Sequence, residues 1–358
     1  MNMQLDPADI RTPEAAPAAD RSRRLPTPFE MRRDVYIDEA LKARIEAQRD
    51  AVRAILEGRD DRLLVVIGPC SIHDRQSALD YARKLAALAP ALEERMLLVM
   101  RVYVEKPRTT VGWKGLAYDP HLDGSHDMAE GLGQTRQLMR DIAALGVPVA
   151  CELLQPMLAA YVEDLIAWAA IGARTTESQV HREMVSALPV PTGFKNGTGG
   201  DIGVAIDAMS ASRQGHCYPG IDDHGRPTLI DSDGNRHTHL VLRGGHGRPN
   251  FDAESVERAR SALSRAGAPQ SIMVDCSHAN SGKDPSRQPA VFEEVIRQRR
   301  AGQEALVGVM LESHLEPGSQ PLCADLRYGV SITDACLGWE ASEALLRRAA
   351  CEWNAVGV

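Results

Sequence analysis

Three absences narrow what this 358-residue chain can be. Its seven cysteines (Cys70, Cys151, Cys217, Cys276, Cys323, Cys336 and Cys351) are an odd number, widely spaced and never in CxxC pairs, a usage that suits a reducing compartment. The first thirty residues hold no apolar leader segment, and no later run reaches the roughly 18 apolar residues that a membrane helix needs. A cytoplasmic protein is expected. The third absence is positive charge: a net charge of −8 and a pI near 5.8 speak against a nucleic-acid surface. What remains, 44% hydrophobic and 25% charged residues, is the usual mix of a globular protein with a sizeable core. The length allows one large α/β domain with an extension.

Within this negative chain, residues 101–115 are dense in cations. The β-leaning apolar run at 97–104 contains Arg101 and passes into Lys106, Arg108 and Lys114. Pro107, Thr109, Thr110, Gly112 and Trp113 restrict the backbone or supply neutral donors. A strand ending in a loop built to hold a small polyanion is expected, rather than a solvated charge run.

The rest of the chain is rhythmic. Residues 1 to about 35 have little periodicity and are expected to form an extended or partly ordered arm. From about 38 to 56, Leu41, Ile45, Val52, Ile55 and Leu56 follow a helical spacing that stops near Gly58. Eight short apolar runs follow, at 63–67, 97–104, 147–153, a short one ending at 172, then 192–196, 239–243, 271–276 and 306–311. Most are separated by helical patterns, one of them at 158–169. Such runs fit parallel strands buried on both faces and crossed by helices, and eight units close into a (β/α)8 barrel. An open doubly wound sheet usually carries a Gly-rich phosphate turn after its first strand, which Gly68-Pro69-Cys70 is not. Nearly every run also ends in Arg, Lys, His, Glu or Cys, and in a barrel those ends share one face. Residues 211–238 break the rhythm and read as an inserted β-hairpin turning at Asp222-Asp223-His224-Gly225. The predicted organisation is an N-terminal arm and extra helix (1–60) and a barrel (61–358), whose last amphipathic helix holds Leu345, Leu346, Ala349 and Trp353.

Two sets of side chains fall at the strand ends. Arg101, Lys106, Arg174, Lys195 and Arg243 are cations suited to phosphate and carboxylate oxygens, and together they would repel one another unless an anion joined them. Cys70, His278, Glu312 and Asp334 offer a thiolate, an imidazole and two carboxylates, a mixed set for a divalent first-row ion. Taken singly, each also reads as an ordinary core or surface residue. The glycines at 197–200 and 244–247 mark tight turns, and no Walker A motif is present.

These residues lie in motifs that carry a resemblance. Gly68-Pro69-Cys70-Ser71-Ile72-His73-Asp74, the 105–115 segment beginning Glu105-Lys106-Pro107-Arg108-Thr109, Gly172-Ala173-Arg174-Thr175-Thr176-Glu177-Ser178-Gln179 and Gly193-Phe194-Lys195-Asn196-Gly197 are four of them. Leu242-Arg243-Gly244-Gly245, Asp275-Cys276-Ser277-His278-Ala279-Asn280 and Ser331-Ile332-Thr333-Asp334-Ala335-Cys336 complete the set. Together they closely resemble the class I 3-deoxy-D-arabino-heptulosonate 7-phosphate (DAHP) synthases, from about residue 35 onward.

The resemblance implies a (β/α)8 enzyme that condenses phosphoenolpyruvate with erythrose 4-phosphate, the first step of the shikimate pathway. It implies one divalent metal ion (Mn, Fe, Co or Zn) held by Cys70, His278, Glu312 and Asp334, and phosphoenolpyruvate held by Arg101, Lys106, Arg174, Lys195 and Arg243. Arg108 and Thr109 match contacts to the sugar phosphate, which Asp334 also borders. Lys106 is the expected proton donor. Pro156, Ala160, Pro189 and Gly220 fall where the family forms an aromatic amino acid effector pocket, and the chain looks most like the tyrosine-sensitive branch. A homodimer or homotetramer is implied, with the arm and hairpin near interfaces or the effector. The alternatives are a 3-deoxy-manno-octulosonate 8-phosphate synthase, against which the Lys106-Pro107-Arg108-Thr109 loop speaks, and a non-catalytic regulatory paralogue that binds an amino acid.

Overall fold

The structure is a computed structural model that describes residues 23–354. The part of the expected arm at 1–22, and the side chain of Trp353, lie outside the described residues.

The arm is not featureless. Thr27 caps a helix α1 (Pro28–Asp34): its side chain accepts from the Glu30 amide, the Glu30 side chain accepts from the Thr27 amide, and Pro28 sits at the first helical position. The Thr-x-x-Glu signature was legible in the sequence and outweighs the weak periodicity. Helix α2 (Glu39–Leu56) follows, capped by Asp38.

Eight parallel strands then close on themselves: β1 (Leu63–Gly68), β2 (Met96–Arg101), β3 (Val149–Glu152), β4 (Trp168–Ile171), β5 (Thr192–Lys195), β8 (Thr238–Leu242), β9 (Ile272–Asp275) and β10 (Leu306–Glu312), the last pairing with β1. Closure excludes the open sheet. The hairpin is also present, as β6 (Cys217–Ile221) paired antiparallel to β7 (Pro227–Asp231) around residues 222–226. Helix α3 (Arg75–Leu88), α4 (Met128–Ala144), α5 (Pro156–Ala159), α6 (Gln179–Ala187), α7 (Gly203–Ser212), α8 (Ala253–Arg265), α9 (Gln288–Arg300) and α10 (Trp339–Asn354) complete the order.

The expected continuous helix at 158–169 is a correction. The chain there forms the single turn α5, a 3-10 turn at Glu163–Leu165 and then β4. Arginine side chains from neighbouring helices take the carbonyls a helix would have used: Arg32 bonds the Ala160 oxygen at 2.8 Å, Arg136 that of Tyr161 at 2.6 Å, and Arg49 those of Glu163 and Ile166. Apolar spacing could not reveal that competition.

Two apolar layers hold the barrel. One lies between strands and helices; the other fills the interior and is closed at the strand starts by Val52, Ile55 and Leu56 of α2. The connections Ser271 Oγ to Leu56 O (2.6 Å) and Arg53 to Pro189 O (2.6 Å) tie α2 to the segments entering β9 and β5. Trp168 is fully buried in this floor, and Gly193 makes room for it. A Cβ on Gly193 would stand 2.7 Å from the Trp168 ring and 2.9 Å from His239. With the floor plugged, ligand access is left to the strand C-terminal ends.

Candidate active site

Five of the barrel strands end on a charged residue: β2 on Arg101, β3 on Glu152, β5 on Lys195, β9 on Asp275 and β10 on Glu312. Arg243 follows β8 directly. A parallel strand buried on both faces has no other place for such groups, so their convergence at one mouth follows from the topology.

The mouth holds a cavity of about 290 Å³. All five predicted anion-binding cations line it, as do Arg108, Thr109, His278, Glu312 and Asp334. Cys70, wholly buried, sits behind this lining. Lys114 does not line the cavity; its ammonium lies 5.9 Å from the Tyr118 ring centroid.

The expected mutual repulsion of the cations is largely answered from within. Arg101 donates to Glu312 Oε1 at 3.2 Å and lies 4.0 Å above the Tyr103 ring. Lys195 donates to Asp275 Oδ2 at 3.0 Å, and Lys106 lies 2.8 Å from Cys70 Sγ and 3.3 Å from Asp334 Oδ2. Among the described residues lining the cavity, Arg108, Arg174, Arg243 and Lys283 have no carboxylate partner, so these four cations are left for an incoming anion. Arg174 instead donates to Thr109 Oγ1 at 3.2 Å, joining the 105–115 loop to the end of β4.

Three of the four predicted metal ligands meet. Among the described residues Cys70, Glu312 and Asp334 bring a sulfur and two carboxylate oxygens within 4.8 Å of one another. A thiolate with two carboxylates suits a divalent first-row ion, and the Lys106 ammonium beside Cys70 and Asp334 shows that the spot is built for positive charge. The donor set fits the ion that the resemblance implies. His278 borders Glu312 and Asp334 but is not in that trio; its Nδ1 lies 2.9 Å from Asp275 Oδ2. Its backbone is left-handed, with φ of 57°, which is uncommon for a non-glycine residue.

Titration follows the same geometry. Burial and the Glu312 charge push the Cys70 thiol up to about 12, opposed by Lys106. For Asp334, burial works against ionisation, yet Lys106 and His278 hold the carboxyl at about 2. Asp275 is also held well below the usual carboxylate range against its complete burial, chiefly by Lys195.

Besides Glu152 and Lys283, which line the cavity, Asp275 and Glu105 at this mouth were absent from the predicted site residues. Asp275 ends β9 inside one of the motifs quoted above, and the rule that strand ends carry the chemistry could have found it. Glu105 precedes Lys106, is buried, and accepts from the Leu154 and Gln155 amides (3.1 and 3.2 Å) and the Tyr118 hydroxyl (3.3 Å). No sequence pattern announces those partners.

The predicted effector residues lie elsewhere; none lines the cavity. Pro156 opens α5, Ala160 follows it and Gly220 lies in β6. Arg32 of α1 ties these segments together, bonding the Ala160 carbonyl, Glu163 (3.1 Å) and Asp223 of the hairpin turn (2.9 Å). Pro189 faces α2 through the Arg53 bond already described.

A closed β/α barrel whose strand C-terminal ends gather cations beside a metal-suited donor set defines the class, a β/α-barrel enzyme with its site at that mouth. Within it the chain belongs to the DAHP synthetase I family, which matches residues 40–347. It is 49% identical over 326 residues to the Tyr-sensitive phospho-2-dehydro-3-deoxyheptonate aldolase of Salmonella typhimurium, covering 90% of this chain and 91% of that protein. It is 51% identical over 304 residues to the Phe-sensitive enzyme of Escherichia coli, with 84% and 87% covered. The solved structure of phospho-2-dehydro-3-deoxyheptonate aldolase from Francisella tularensis superposes with a TM-score of 0.90 at 38% identity, over 93% of this chain and 99% of that one.

Proposed function

We propose that this DAHP synthase family enzyme condenses phosphoenolpyruvate with erythrose 4-phosphate and releases phosphate. The observation that carries the proposal is Lys106. It stands on the wall between the Cys70–Asp334 pair and the cavity that Arg108, Arg174 and Arg243 leave open to an anion.

Arg174 and Arg243 take the phosphate of phosphoenolpyruvate, with Arg101 and Lys195 fixed beside them by their carboxylate partners. Arg108 and Thr109 take the phosphate of the aldose. C3 of phosphoenolpyruvate then bonds to the aldehyde carbon, and Lys106 gives a proton to the aldehyde oxygen, directly or through water. Water adds at C2, and the hemiketal phosphate breaks its C–O bond to release phosphate. Cys70, Glu312, Asp334 and His278 would hold a divalent ion, which supplies Lewis-acid polarisation of the aldehyde when bound. The family's relatives named for tyrosine, phenylalanine and tryptophan sensitivity support feedback inhibition by an aromatic amino acid, with tyrosine favoured for this chain. The tie that Arg32 makes between α1, the segment after β3 and the hairpin supports an effector or subunit contact there, in a homodimer or homotetramer.

The test is phosphate release from phosphoenolpyruvate with erythrose 4-phosphate or arabinose 5-phosphate, with and without chelator, repeated with each aromatic amino acid. Release with the four-carbon sugar alone, abolished by chelator, is expected. Release only with the pentose phosphate would refute the proposal, as would no release from metal-loaded protein that still binds an amino acid.

A further inference from the structure

Asp275 is as deeply buried as any group in the protein, with no exposed surface, and each of its oxygens is engaged. Oδ1 accepts from the Ser277 hydroxyl (2.6 Å) and the Ser277 amide (3.0 Å). Oδ2 lies 3.0 Å from Lys195 Nζ and 2.9 Å from His278 Nδ1. One oxygen therefore serves a cation of the phosphoenolpyruvate set and the imidazole of the metal set.

The Ser277 hydroxyl fixes the remaining freedom. Its oxygen lies 2.8 Å from His278 Nδ1. Serine has one hydroxyl proton, and the shorter contact, to Asp275, uses it. Towards Nδ1 the hydroxyl offers only lone pairs, as does Asp275. Both neighbours of Nδ1 are acceptors, so Nδ1 carries the ring proton and Nε2 is left with its lone pair free.

We propose that Asp275 is a positioning residue: it fixes the His278 tautomer and ring direction so that Nε2 is offered to a metal ion, while Lys195 holds the same carboxylate oxygen from the other side. Carboxylate partners of ligating imidazoles act in this way, and their loss costs about 10–100-fold in metal affinity. Lys195 makes this carboxylate affordable so deep in the barrel, because an unpaired buried charge is strongly unfavourable. The proposal rests on His278 being a metal ligand, as the proposed function has it.

The test is Mn²⁺ binding by calorimetry to chelator-stripped wild-type protein, Asp275→Asn and His278→Ala, without substrates. Asp275→Asn preserves shape while replacing one acceptor oxygen with a donor. It is expected to bind Mn²⁺ about 10–100-fold more weakly, with its far-UV spectrum unchanged. If His278→Ala weakens binding but Asp275→Asn binds like the wild type, the proposal fails and the ligand assignment stands. If both bind like the wild type, the assignment fails as well. Should Asp275→Asn not fold, ¹⁵N NMR of the stripped wild-type protein decides: an Nδ1–H tautomer of neutral His278 is expected, and an Nε2–H tautomer would overturn the proposal.

Discussion

The two ends of the barrel interior are equally buried and made of opposite material. At the floor, Val52, Ile55 and Leu56 of α2 meet Leu64, Val66, Val99, Trp168 and Met273, and burial there stabilises the fold by removing apolar surface from water. At the mouth, Arg101, Glu312, Lys195 and Asp275 are just as inaccessible, yet each is charged. Buried ion pairs are weak evidence of stabilisation, because desolvation offsets much of their attraction. The difference teaches that the floor holds the barrel closed, whereas the mouth keeps charges in place for ligands.

The hardest test of that contrast is Arg101→Met, which strands Glu312 in the interior. It should cost about 3–5 kcal/mol in urea unfolding and remove phosphoenolpyruvate turnover. The double variant Arg101→Met/Glu312→Met should regain most of the stability while remaining inactive. If stability stays lost, the mouth pair is structural and the contrast fails.

Ile55→Ala probes the other end. A cost of about 2–5 kcal/mol is expected from the lost burial and the cavity left behind, with kcat/KM of the folded protein unchanged. A large change in kcat/KM at equal folding would show that floor and mouth are mechanically coupled.

Glu105 sharpens the comparison, because it is a buried acid at the mouth with no cationic partner among the described residues. Burial pushes its carboxyl up to about 7, although the Leu154 and Gln155 amides oppose the shift. A carboxyl raised on folding favours the native state most below its unfolded value, and that contribution is lost as pH rises through about 7. The stability of wild type minus that of Glu105→Gln should therefore fall between about pH 4.5 and pH 7, by on the order of 3 kcal/mol. Urea melts at pH 4.5 and pH 8 check it; a constant difference would refute the raised carboxyl.

At pH 8 the smallest effect is expected at His239 in the floor, held to about 3 by burial and bonded to Trp168 Nε1 at 3.3 Å. A histidine lowered on folding stabilises the native state above its unfolded value, and that contribution is lost as pH falls towards the folded one. His239→Gln, which keeps an acceptor for Trp168, should differ from wild type by no more than about 1 kcal/mol at pH 8. It should gain on wild type below pH 6. Parallel losses of stability on acidification would place the acid sensitivity elsewhere.

Much of this was legible beforehand, for identifiable reasons. Strand runs such as 306–311 are uninterruptedly apolar because a parallel barrel strand is covered on both faces, and a charge ending such a run has only the mouth to occupy. Helix α1 could have been read from Thr27, Pro28 and Glu30. The segment at 158–169 could not, since its carbonyls are captured by Arg32, Arg49 and Arg136, from helices 25 to 128 positions away in the chain. Glu105 stayed invisible for a similar reason: the two amides that bond it lie about 50 positions away.

The sequence by itself determined the strand count, the chemistry available at each strand end and the family, because those depend on local residue type and order. Only the tertiary structure decided which cation faces which anion. It paired Arg101 with Glu312, gave Lys195 and His278 one shared oxygen, and left Arg108, Arg174 and Arg243 without a carboxylate among the described residues. Those pairings depend on distances of a few ångströms between residues up to 211 positions apart, which are set by barrel closure and strand register rather than by composition or spacing.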